Sequence, residues 1–147
     1  MYEGFSIVVG LDEKVILIDN NNKEKEVLAR IDTGADGSSI DKELFESMTC
    51  GPFISQKKIK SASGENIREQ VELKFKIKEK EFVGKFNIAD RSKLRYKVLI
   101  GQNILKKGFL IDPTIKKILK KDEKDKLKCF GGPTFVKTSF NIKSDKE

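Results

Sequence analysis

The 147 residues suffice for one domain of ordinary size, and 37% apolar against 36% charged residues leaves material for a thin core only. The formal charge is +7, yet Lys and Glu alternate closely, as in Lys23-Glu24-Lys25-Glu26 and Lys78-Glu79-Lys80-Glu81, so the charge reads as solvated surface rather than a nucleic-acid stripe. His is absent, which excludes Ser-His-Asp and Cys-His nucleophile systems and HExxH metal sites, and leaves hydrolytic chemistry to carboxylates, lysines or hydroxyls.

In chain order, Phe5 to Val9 and Val15 to Ile18 are short, rich in β-branched residues and bounded by Gly10 and Asn20-Asn21-Asn22; together they predict a hairpin or meander. Glu26 to Ile31 predicts a further strand that runs straight into the turn-rich Asp32-Thr33-Gly34-Ala35-Asp36-Gly37. Asp41 to Met48 predicts a short helix capped by Ser39 or Asp41. Lys57 to Lys60 and Ile67 to Val71 flank the small polar tip Ser61-Ala62-Ser63-Gly64-Glu65, the pattern of a hairpin. Val71 to Ile77 alternates apolar and charged residues and predicts a strand with one solvated face, a pattern repeated from Phe82 to Ile88. Val98-Leu99-Ile100 predicts a buried strand ending at Gly101, with a short helix over Gln102 to Lys107. Phe109 to Pro113 and Ile115 to Leu119 predict one last hairpin. Residues 120–128 are almost wholly charged. Beyond them Phe130, Phe135, Val136, Phe140 and Ile142 are too apolar for a solvated tail and are expected to pack on the barrel or across a dimer.

Cys50 and Cys129 stand far apart and form no CxxC pair, and no signal pattern or apolar run of spanning length occurs, so the chain reads as soluble and cytoplasmic with no membrane partner. The local signal for chemistry is Ile31-Asp32-Thr33-Gly34-Ala35. A carboxylate at the end of an apolar strand suits a water-activating group, Thr33 can hydrogen-bond across a two-fold axis, and Gly34 permits close backbone approach. The bland reading of the same residues is a turn in which Asp32 caps its own backbone. Asp112-Pro113 reads as a strand-ending turn, and Asp90-Arg91 as a structural pair near a loop.

The order of catalytic loop, polar hairpin tip and strand-Gly-helix (Tyr96 to Gly101, then Gln102 to Leu105) resembles that of the retropepsins over residues 5–119. More narrowly, Ala89 to Ser92, Tyr96 to Gly101 and Gly108 to Pro113 together resemble the archaeal and bacterial retropepsin-like family labelled "ATP-dependent zinc proteases". The resemblance implies an all-β, retropepsin-like closed barrel with one or two short helices. It also implies an aspartic endopeptidase acting as a homodimer on a peptide or protein substrate, with no cofactor. Its residue assignments are Asp32, Thr33 and Gly34 as catalytic, and Ala35, Asp36, Ser61, Ala62, Ser63 and Gly64 as substrate-binding, the last four forming a flap.

With no His, no clustered Cys and no Gly-x-x-x-x-Gly-Lys loop, neither zinc nor ATP has an expected site. Two positions depart from the pattern. Asp36 stands where this family commonly has Arg, as in retroviral proteases, and Gln102 stands where those proteases place the Arg that pairs with that Asp. One Asp-Thr-Gly is half an acid-base dyad, so Asp32 is expected to meet Asp32 of a second copy. The expected organisation is a protease domain over residues 1–119 and a separate segment over 120–147. The positive charge permits an acidic substrate. A non-catalytic dimeric peptide-binding module and a basic nucleic-acid binder remain the alternative readings.

Overall fold

A computed structural model of the protein describes residues 6–49, 55–61 and 64–120. The described residues are almost entirely β-structure: β1 (Ile7–Val9), β2 (Asp12–Ile18), β3 (Glu24–Ile31), β4 (Ser38–Asp41), β5 (Ser55–Ser61), β6 (Gly64–Ile77), β7 (Lys80–Ala89), β8 (Val98–Ile100) and β9 (Phe109–Ile111), with two short helices, α1 (Lys42–Glu46) and α2 (Gln102–Leu105). Neighbouring strands run in the order β2-β3-β8-β4-β7-β6, and β6 pairs back onto β2, which closes a six-stranded barrel. Closure leaves none of these strands with a bare edge on the ring. Among the described residues the chain forms the expected all-β closed barrel with short helices.

Alternation in the sequence explains how the barrel fills. Val71, Leu73, Phe75 and Ile77 of β6 are buried while Glu72 and Lys74 face water, the period-2 pattern of a strand with one wet face. Phe75 lies at the centre of an aromatic group, 5.6 Å from the ring of Phe82 and 5.5 Å from that of Phe86, the latter edge-on. Phe82 in turn meets Phe109, so the aromatic contacts tie β9 to the hairpin β6–β7.

β6 serves two structures. Its second half belongs to the barrel, while Gly64 to Gln70 pairs with β5 in an antiparallel arm that stands off the ring. The arm is the expected hairpin, its last described pair being Ser61 opposite Gly64. The two-residue loop between β6 and β7, Lys78-Glu79, has φ of 52° and 69°. Both values lie in the left-handed region that a type I′ turn demands and that Asn-Gly usually supplies.

Two pairings differ from the sequence expectation. Phe5 to Val9 does not form a hairpin with Val15 to Ile18. β1 instead pairs in parallel with β9, and β2 turns back onto β3 through Asp19 to Lys23. The Asp19 carboxylate builds that turn by accepting from the amides of Asn21, Lys23 and Thr49. Nor do Phe109–Asp112 and Ile115–Leu119 pair as a hairpin. The carboxylate of Asp112 closes a turn onto Thr114, and the amides of Ile118 and Leu119 are taken by the carboxylate of Asp12, so they cannot serve a strand ladder. α1 begins on Asp41, whose carboxylate accepts from Leu44 N, and Asp41 rather than Ser39 is the cap. The apolar segment 129–142, Cys50 and Cys129 lie outside the described residues.

The turn at residues 78–79 carries a stability cost that substitution should relieve. Lys78→Asn combined with Glu79→Gly is expected to raise unfolding stability by about 1 kcal/mol. Urea unfolding checks this: the midpoint should rise with an unchanged slope.

Candidate active site

Asp32 follows the last residue of β3 and is half-buried at the protein surface. Its backbone continues the strand pairing for one more step, donating from its amide to Ile100 O at 2.9 Å. Its side chain is aimed by the turn that follows, with Gly34 N donating to Asp32 Oδ1 at 2.9 Å. That bond fixes the rotamer of the carboxylate.

The loop after Asp32 is laced to the start of α2. Gln102 N donates to Ala35 O at 2.8 Å and Asn103 N to Asp36 O at 3.0 Å. Ser38 Oγ donates to Asn103 Oδ1 at 2.7 Å and accepts from Gly101 N at 2.9 Å. Gly101 makes this lacing possible, since a Cβ there would stand 2.1 Å from Gly37 O and 2.7 Å from Ala35 O. Gln102 adds a side-chain latch, Nε2 donating to Thr33 O at 2.7 Å. Where the family resemblance led to an Asp-Arg ion pair, this chain has an amide holding the Thr33 carbonyl, and Asp36 is exposed.

Several charges act on Arg91. Arg91 is half-buried, and burial pulls its guanidinium below the usual value; Asp41 opposes that shift, Arg30 and Arg68 reinforce it, and Asp32 opposes it weakly. Arg91 Nε donates to Tyr96 O at 2.9 Å, and its amide donates to Asp41 Oδ1 at 2.7 Å. Asp90 and Arg91, expected to pair with each other, are instead partnered separately: the Asp90 carboxylate accepts from Ser92 N. Asp112 is the strand-ending cap that its sequence suggested.

Of the expected site residues, Asp32, Thr33, Gly34, Ala35 and Asp36 share this one loop. Ser61 and Gly64 end the two strands of the β5–β6 arm, Gly64 with φ of 121°, and Ala62 and Ser63 lie outside the described residues. One further group, Asp12, was not singled out from the sequence. Asp12 is only 2% exposed and accepts from Tyr96 Oη at 2.8 Å, Ile118 N at 2.8 Å and Leu119 N at 2.9 Å. Burial pushes its carboxyl up, but these hydrogen bonds and Lys117 outweigh that and hold it below the ordinary value. A lone Asp at the head of a strand gives no hint of partners more than eighty positions away. A cavity of about 440 Å³ lies elsewhere, lined by Asp41, Lys42, Glu43, Glu46, Asp90 and Ser92. Among the described residues no group of three or more His, Cys, Asp or Glu could hold a metal ion, so zinc finds no fitting donor set there.

With this geometry in hand, comparison with known proteins assigns the class. The family model for RimB-like proteins, described as retropepsin-like aspartic endopeptidase RimB, matches residues 40–122, more than half of the chain. The chain belongs to that retropepsin-like family. The matched span begins beyond Asp32-Thr33-Gly34 and carries the end of β4, β5 to β9 and both helices. None of the curated proteins matches. Among solved structures, the fold is similar to that of Lpg0085, a protein of unknown function from Legionella pneumophila subsp. pneumophila str. Philadelphia 1. That match has a TM-score of 0.52 and 21% identity, covering 76% of this chain and 97% of that one. The solution structure of the protease of simian foamy virus (mac) also aligns, with a TM-score of 0.48 and 16% identity over 65% of this chain and 91% of that one. Among the described residues no helix is long and apolar enough to cross a membrane.

Two outcomes test the site's construction. Gly101→Ala is expected to cost ~3 kcal/mol or more because its Cβ meets backbone, whereas Gln102→Ala, which removes one exposed latch, should cost about 1 kcal/mol; thermal and urea unfolding of both variants distinguish them.

The Asp12–Tyr96 bond should also mark the pH dependence of stability. Burial and the bond to Asp12 push the Tyr96 hydroxyl up to about 12, against about 10 in an unfolded chain. A raised value means that the contribution is whole below about pH 10 and is lost as pH climbs toward about 12. Asp12 behaves oppositely: its contribution is present above the ordinary carboxylate range and is lost as pH falls through its lowered value. The stability difference between wild type and Tyr96→Phe should therefore hold steady to about pH 10 and shrink above it, as read by denaturant unfolding across pH.

Proposed function

We propose that this protein is an aspartic endopeptidase that works as a homodimer, Asp32 of each copy contributing one carboxylate to a shared site. The observation that carries this reading is the Asp32 loop itself: a half-buried carboxylate, aimed by Gly34 N, at the open end of a barrel strand and rigidly backed by residues 100–103. Dyad chemistry needs two carboxylates close enough to share one proton, and one such loop supplies one. A two-fold axis through paired loops provides the second.

In the reaction, a water held between the two Asp32 groups attacks the scissile carbonyl carbon. The ionised carboxylate takes a proton from the water as the new C–O bond forms, and the protonated one gives its proton to the carbonyl oxygen. As the tetrahedral diol collapses, one of its hydroxyls returns a proton to the ionised carboxylate and becomes C=O, the C–N bond breaks, and the departing nitrogen takes the proton of the other carboxylate. Thr33 and Gly34 fix the loops against one another, while Ala35 and Asp36 meet the backbone of an extended peptide. Ser61, Ala62, Ser63 and Gly64 close over it as a flap. Residues 1–119 form the peptidase unit and residues 120–147 a separate segment. No zinc and no nucleotide take part in this scheme.

The surroundings favour an acidic peptide. Arg30 and Arg68 act on the half-buried Arg91, Asp41 and more weakly Asp32 offset them, and an anionic substrate group would add to that offset.

Digestion of a mixed peptide library, read by mass spectrometry, tests the proposal. Wild type should cleave, with acidic peptides preferred and the preference fading as salt is added. Asp32→Asn should lower turnover by roughly 10⁴-fold while leaving the melting temperature in place. Cleavage that survives in the pure variant removes Asp32 from the mechanism.

A further inference from the structure

The segment after β9 runs back across the barrel as a strap. Its turn is closed by Asp112, and Ile115 then packs against Gly10, where an added Cβ would lie 3.2 Å from the Ile115 side chain. The strap ends on Asp12, the first residue of β2, which stands opposite Arg30 in the β2–β3 ladder. Arg30 is also next but one before Asp32 in the chain.

The same buried carboxylate holds the loop over residues 90–97. Tyr96 Oη donates to Asp12 Oδ2, and Leu119 N donates to that same oxygen. Arg95 adds a parallel tie, Nη2 donating to Lys120 O at 3.3 Å. The loop is rigid within itself: the Lys97 ammonium donates to the carbonyls of Arg91, Ser92 and Leu94, and Arg91 Nε donates to Tyr96 O. On its other side the loop meets Asp41, through Arg91 N to Asp41 Oδ1 and Asp41 N to Lys97 O. It then runs into β8, whose Ile100 O receives Asp32 N. A pre-formed loop of this kind moves as a unit, and its placement depends on the points where it is fastened.

We infer that Asp12 and Tyr96 form a clasp through which the strap over residues 115–120 sets the position of the 90–97 loop, and with it Arg91, beside the Asp32 site. The two are positioning residues, acting through Arg91, and the strap belongs to the substrate-binding apparatus. This inference rests on the peptidase reading for its kinetic consequence, and on the hydrogen-bond geometry alone for its mechanical one. Because the clasp acts on the placement of a substrate-flanking loop and leaves the Asp32 loop untouched, its loss should appear in KM rather than in kcat.

The test uses the full chain with Tyr96→Phe, which keeps the ring and deletes the hydroxyl, and Ile118→Pro, which deletes one strap amide. With a peptide that wild type is found to cleave, both variants should raise KM by roughly tenfold or less with kcat within about twofold. The double variant should fall short of the product of the two effects, because both cut into one carboxylate. Hydrogen exchange supplies a second arm that needs no activity: the amides of Arg91, Ser92 and Leu94 should exchange faster in each variant, while those of Leu73 and Phe75 in β6 keep their wild-type rates. Unchanged loop exchange, or an equal rise at every amide, overturns the clasp. So does an unchanged KM alongside a lowered melting temperature, since that is the mark of a merely structural bond. If wild type cleaves no peptide, the peptidase reading falls, and the exchange arm still decides whether the clasp positions the loop.

Discussion

The contact between Gly101 and the backbone of Gly37 is the constraint on which the site depends. A Cβ at Gly101 would sit 2.1 Å from Gly37 O, so the end of β8 and the loop after Asp32 approach more closely than any side chain allows. That approach lets Gln102 N, Asn103 N and Gly101 N satisfy partners in residues 35–38, and it places Ile100 O under Asp32 N. A polar loop at the end of a barrel would ordinarily be held by water and would wander. Here its backbone groups are satisfied from one side by a second segment of chain, which leaves the Asp32 carboxylate defined and its outer face free.

Fastening by carboxylates recurs throughout the molecule. Asp19 builds the β2–β3 turn and reaches Thr49, Asp41 caps α1 and holds Arg91, Asp112 closes the turn after β9, and Asp12 joins the strap to Tyr96. Each accepts two or three donors, and for Asp12, Asp19 and Asp112 hydrogen bonding holds the carboxyl below its usual value. A chain with a thin apolar core gains definition this way, because a charged acceptor shared among several amides fixes loop geometry that apolar packing cannot reach. The surface ion pairs, such as Lys14 with Glu26 at 3.8 Å, lie in water and define little.

Several large apolar side chains are exposed. Val8 and Leu110, both 44% exposed, lie on adjacent strands at the β1–β9 pair. Ile67 is 63% exposed on the β5–β6 arm. Val83, on the barrel strand β7 itself, is 49% exposed, so such side chains are spread over barrel and margins alike, as on most protein surfaces.

Alternation of apolar and charged residues determined the barrel strands, because a strand's side-chain period is a local property: Val71 to Ile77 could hardly bury one face in any other way. Asp32-Thr33-Gly34 was legible for the same reason, being a short run whose chemistry and backbone freedom belong to its own residues. What the sequence left open was which distant segments meet. β1 finds β9 across a hundred residues, Gln102 puts its side chain on the Thr33 carbonyl, and Asp12 gathers Tyr96, Ile118 and Leu119. No local pattern encodes these partners. A backbone amide is identical at every position, and the carboxylate it binds is chosen only when closure of the barrel brings the two within hydrogen-bonding distance.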